Sequence, residues 1–129
     1  MTSETEIYIK QISKAINLLE KILRKIDFSH SDKKSTVELI DNVKIYTTAI
    51  RGYIAEKPKE LSLPNIEPLF LEISDGTWQL LKFTNNMEIG LDISGIDGIH
   101  FSWASAIKFV QGWQTLISDI DTILPELIR

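Results

Sequence analysis

Residues 66–103 read IEPLFLEISDGTWQLLKFTNNMEIGLDISGIDGIHFSW, and two hydrophobic periods compete within them. Ile66, Phe70, Ile73, Thr77, Leu80, Thr84, Met87 and Leu91 recur at alternating steps of three and four, which fits a helix. That helix would hold Gly76 and Gly90 in its interior, each costing about 1 kcal/mol relative to Ala. It would also run through Asp75-Gly76 and Asn85-Asn86, two pairs typical of turns.

The same pairs serve as two-residue hairpin turns if the segment is extended. Ile73 then faces Trp78, Leu71 faces Leu80 and Glu72 faces Gln79. Across the second turn Trp78 faces Ile93 and Leu80 faces Leu91, and a third turn at 94–98 sets Ile99 and Phe101 opposite Ile93 and Leu91. Apolar residues meet apolar ones, and Met87 to Ser94 alternates without a break. A one-residue slip would scramble this, because side chains in a strand alternate with period two. The strand reading is therefore preferred, and the four-helix bundle is the alternative.

Working outward, the flanks are helical. Tyr8, Ile12, Ala15, Leu19, Ile22 and Ile26 form a stripe over 4–27, opened by Ser3 and Glu6 at capping-box spacing. Thr36, Ile40, Val43, Thr47, Ile50 and Ile54 form another over 33–56, with Ser31 or Asp32 available as N-cap. Pro58 and Pro64 mark a linker. Ala106, Val110, Trp113, Ile117, Ile120 and Leu124 give a third stripe over 104–124, ending near Pro125. The expected fold class is α+β in one domain, 1–129: a helical hairpin (1–57), a four-stranded antiparallel meander (66–103) and a C-terminal helix. Trp78, Trp103 and Trp113 read as packing residues.

Such a meander buries Leu71, Ile73, Trp78, Leu80, Ile89, Leu91, Ile93, Ile99, Phe101 and Trp103 beneath the helices. It leaves an outer face that is apolar at one end, through Phe70, Leu81 and Phe83, and polar at the other, through Glu72, Gln79, Asp92 and His100. Phe70, Leu81, Phe83 and Gln79 are the expected partner contacts, since contiguous apolar patches mark interaction surfaces. Asp92 beside His100, with Glu72 near, is the one arrangement with an acid–base reading. A flat, solvated sheet face would give it no enclosed pocket.

Composition narrows the classes. The 129 residues include no Cys, so disulfides, thiolate metal sites and cysteine nucleophiles are excluded. His30 and His100 are the only histidines, and neither has a second ligand one turn away. Residues 92–98 resemble a calcium loop, but Ile96 takes a ligand position and Trp103 stands where the bidentate Glu belongs. No phosphate-binding glycine motif is present. No metal and no cofactor are expected.

The net charge of −4 divides into +2 over residues 1–60 and −6 over 61–129. An acidic second half disfavours nucleic acid, leaving only the basic cluster Lys21, Arg24, Lys25, Lys33 and Lys34 as a candidate contact. No membrane span or leader is legible, so a cytoplasmic protein is expected. The functional expectation is a small acidic protein-binding module, such as an adaptor, a chaperone or an immunity-type inhibitor. Its partner would be another protein or a second copy of itself. The alternatives are a small enzyme using Asp92 and His100, and nucleic-acid binding by the hairpin end.

Overall fold

The computed structural model describes residues 3–28 and 32–127. It corrects the central expectation: the described residues contain four α-helices and no strand. These are α1 (Ser3–Leu23), α2 (Lys33–Ala55), α3 (Glu67–Ser94) and α4 (His100–Leu127). Short 3₁₀ turns at Lys59–Leu61 and Gly95–Ile99 flank α3. Each helix packs on its neighbours in the chain, and α1 packs on α4 to close the ring. Cross-links such as Tyr8 to Tyr53 and Lys33 to Asp92 show that successive helices run antiparallel. The architecture is an up-down-up-down four-helix bundle, so the α+β meander is overturned in favour of the alternative.

The helix wins at 67–94 because the three flanking stripes need a fourth. Phe70, Ile73, Thr77, Leu80, Thr84, Met87 and Leu91 are all buried, closing the core. The ten residues expected beneath a sheet divide in half. Ile73, Leu80, Leu91, Ile99 and Trp103 are buried, whereas Leu71, Trp78, Ile89, Ile93 and Phe101 are exposed. The apparent alternation at 87–93 was two helical faces interleaved: Met87 and Leu91 point inward, and Ile89 and Ile93 outward.

The residues that resemble turns have other work. A Cβ on Gly76 would fall inside contact distance of Trp113 Nε1 and 2.9 Å from its Cε2, so the glycine is where the α4 indole seats. A Cβ on Gly90 would lie 2.6 Å from the Gly98 carbonyl oxygen, where the chain returns from α3. Gly95, at φ 66°, caps α3 in a conformation that favours glycine. Four core threonines satisfy their hydroxyls on their own helix. Thr36 donates to the Asp32 carbonyl, Thr47 to Val43, Thr77 to Ser74 and Thr84 to Leu81.

Two polar contacts fasten the ends. Asp32 is the N-cap of α2, accepting from the Ser35 N–H at 2.7 Å, while Ser31 and the rest of 29–31 lie outside the described residues. Trp103 donates its indole Nε1–H to the Leu23 carbonyl at 2.6 Å, satisfying an orphan acceptor at the end of α1. The bond is buried and joins residues 80 apart in sequence.

Trp103→Phe keeps most of the ring but leaves that carbonyl without its donor. Urea melts should show a loss of about 1–3 kcal/mol with an unchanged slope. Acid titration offers a second check. The Ser35 hydrogen bond holds the Asp32 carboxyl below its ordinary value, and Glu20 is lowered by the Gln114 amide and Arg24. Depressed carboxyls contribute stability that is complete above their ordinary values of 3.8 and 4.5. Thermal stability should therefore fall as pH drops below those values, and Glu20→Gln should flatten part of that fall.

Candidate functional site: the α3–α4 groove

A groove of about 810 Å³ runs along the outer seam between α3 and α4. Glu72, Gly76, Gln79 and Phe83 line it from α3 at steps of four, three and four, one stripe of a helix. Phe109, Gly112, Trp113 and Leu116 supply the opposite wall. Phe83 and Phe109 pack with ring centroids 5.5 Å apart and form one end of the apolar floor. Trp113, seated on Gly76, forms the other.

The two lining glycines differ in kind. Gly76 is required by the indole above it. A Cβ on Gly112 would meet nothing within 4 Å, so no packing in the bundle asks for a glycine there. In a helix interior that residue costs about 1 kcal/mol relative to Ala. Its effect is to leave the middle of the groove open.

Charge is arranged along the groove. Glu72 and Asp75 stand at the end near Leu116, and Lys108 stands toward the Phe83 end. All three are exposed. The groove is thus apolar in its floor, acidic at one end and basic at the other.

Of the expected contact residues, Phe83 and Gln79 line this groove together with Glu72. Phe70 does not: it is 1% exposed, packed near Tyr8 in the core, because it lies on the inward stripe of α3. Leu81 is half-buried and lies two residues from Phe83, which turns it about 200° away around the helix. The apolar end of a sheet face therefore does not exist as a surface.

Asp92 and His100 are not brought together as cross-strand neighbours. Asp92 pairs with Lys33 at 3.0 Å on the α2–α3 seam. His100 stacks on Phe28 with centroids 3.8 Å apart, and its Nε2 lies 3.7 Å from Asp97. Glu72 is on a different seam from that Asp92 contact. Within the basic cluster, Arg24 pairs with Glu20 and Lys33 with Asp92. His30 lies outside the described residues. Among the described residues no three His, Asp or Glu gather as metal ligands, and no helix is long and apolar enough to cross a membrane.

Trp78, expected in the core, is 52% exposed, with the Arg51 guanidinium 3.6 Å above its ring. The wall residues on α4 were missed. Gly112, a glycine in a well-patterned helix without a turn partner, was the available signal. Comparison with protein-family models, curated proteins and solved structures finds no match for this chain.

The two glycines give opposite expectations. Gly76→Ala must displace a buried indole and should destabilise by about 1–3 kcal/mol. Gly112→Ala should stabilise the isolated chain by about 0.5–1 kcal/mol, since the methyl meets open space. Paired denaturant melts measure both, and a similar response at the two sites would contradict the packing described.

Proposed function

We propose that this chain is a protein-binding module whose working surface is the α3–α4 face, and that it engages an apolar helical surface of its partner. The observation that carries this reading is the groove that Gly112 leaves open over an aromatic floor. A helix laid on such a floor buries apolar area at about 25 cal/mol per Å². Glu72 and Asp75 at one end and Lys108 at the other favour a partner whose charges run in the opposite order. The adaptor, chaperone and inhibitor classes all act through such surfaces.

Neither alternative gains a specific observation. Asp92 and His100 have separate partners on separate seams, and the basic cluster is partly neutralised by Glu20 and Asp92.

The test places a photo-crosslinking residue at Gln79, on the groove, and at Thr48, an exposed position on α2. Crosslinking in cells should give a discrete protein adduct from position 79 and none from 48. Gly112→Leu, which fills the groove, should remove that adduct while the thermal melt stays at or above wild type. Equal labelling from both positions, or an adduct indifferent to Gly112→Leu, would overturn the reading.

A further inference from the structure

We propose that the small cavity between α2 and α3 binds a short-chain hydroxycarboxylate. It lies on a different seam from the α3–α4 groove and does not depend on it.

The first argument is an arginine that pairs with no acceptor. Arg51 makes no hydrogen bond and no ion pair among the described residues, and its Nε is buried. A buried N–H without an acceptor has lost its hydration and gained nothing in exchange, so it calls for one. The group is also held in place. Its Cζ lies 3.6 Å from the Trp78 ring centroid, a separation that only face-to-face contact allows. The N–H donors lie in the guanidinium plane, so the ring covers one face and leaves the edge for a ligand.

The second argument is an acceptor on the same cavity. Glu67 Oε1 accepts from Lys57 Nζ at 3.0 Å, while Oε2 is buried and accepts nothing among the described residues. An orphan donor and an orphan acceptor thus belong to residues that border one space of about 220 Å³. One bridging water takes about 30 Å³, a small part of that room. Ile54, Phe70 and Leu71 give the space apolar walls, against which a hydrocarbon chain gains by burial.

The third argument is charge. Arg51, Lys57 and Glu67 together carry one net positive charge, so a monoanion leaves the site neutral. A phosphate dianion would meet the Glu67 carboxylate. A carboxylate has two oxygens that match two N–H groups on a guanidinium edge. Glu67 Oε2 then takes a donor from the ligand. A hydroxyl suits it better than an ammonium, because Lys57 already holds the other oxygen and would repel a second cation. The volume is below the roughly 300–1,000 Å³ of sites for drug-sized ligands, which keeps the chain short.

Proton–nitrogen correlation spectra of the labelled full chain test the assignment at the Trp78 indole N–H, with leucate (the hydroxy analogue of leucine) as probe at neutral pH. Trp78→Phe identifies that signal among the three indoles. Leucate should shift it saturably, with a midpoint at or below about 1 mM. Isocaproate, which lacks the hydroxyl, and leucine, which replaces it with an ammonium, should each bind about tenfold more weakly. Arg51→Lys keeps the charge and loses the fork, and should weaken leucate about tenfold or more. Ser74→Leu, at a half-buried wall position, should fill the cavity and abolish saturation. Either variant decides if its thermal melt matches wild type, and the wild-type series decides without them.

No saturable shift up to about 20 mM leucate would overturn the site and leave the two orphan atoms to water. Binding that survives both Arg51→Lys and Ser74→Leu would place the ligand elsewhere and overturn it equally. Equal affinity for leucate and isocaproate, or tighter binding of leucine, would overturn the hydroxyl contact at Glu67.

Discussion

The bundle's shape depends on one contact, the Trp113 indole seated on Gly76. An indole buried to 98% needs a hole in the facing helix, and a residue without Cβ provides the smallest one. The ring of Trp113 fills that hole, and both Gly76 and Trp113 line the groove between α3 and α4. Phe83 and Phe109 fill its inner part at the next level, and Gly112 leaves the outer part empty. The candidate surface follows from how a large aromatic residue is accommodated in the core.

The same contact explains why the fold was only partly legible in the sequence. The stripes of α1, α2 and α4 were readable because each has a wide apolar face and an unambiguous polar one. At 67–94 the glycines carried a meaning that local propensity does not contain. Gly76 and Gly90 looked like the cost of a helix and like the material of turns, whereas each is set by a partner distant in sequence or on a returning chain. Trp113 lies 37 positions from Gly76, and nothing local to either announces the pairing. The exposed Ile89 and Ile93 completed the illusion, since two outward apolar residues between inward ones read as period two.

The candidate site was legible in a different way. Glu72, Gln79 and Phe83 were gathered as neighbours under a strand geometry that does not exist, yet they do share a surface. Steps of seven and four put them on one side of a helix, and such spacings also mix parities in a strand, so the sheet reading split them into rows. Phe70 and Leu81 were attached to the group by that same parity and are separated from it by helical rotation. Asp92 and His100 were paired only by register. With a 3₁₀ turn and a reversal of direction between them, they take separate partners, Lys33 and Phe28.

The outer surfaces of the four helices are not equivalent, and that bears on where the molecule meets others. α1 carries Lys10, Lys14 and Lys21 along its exposed side. α3 carries Leu71, Trp78, Ile89 and Ile93, four of the eight large exposed apolar residues among those described. Scattered apolar residues are ordinary on any surface, but four on one helix are a concentration. Arg51 covers Trp78 on the α2 side, and Leu71 lies on that same α2–α3 seam, so neither residue belongs to the groove that opens toward α4. Stability of the single chain gains nothing from those side chains in water, because the closed core is complete without them. The exposed apolar residues of α3 and the apolar lining of the α3–α4 groove, through Phe83, Phe109 and Trp113, therefore lie on different sides of one acidic helix.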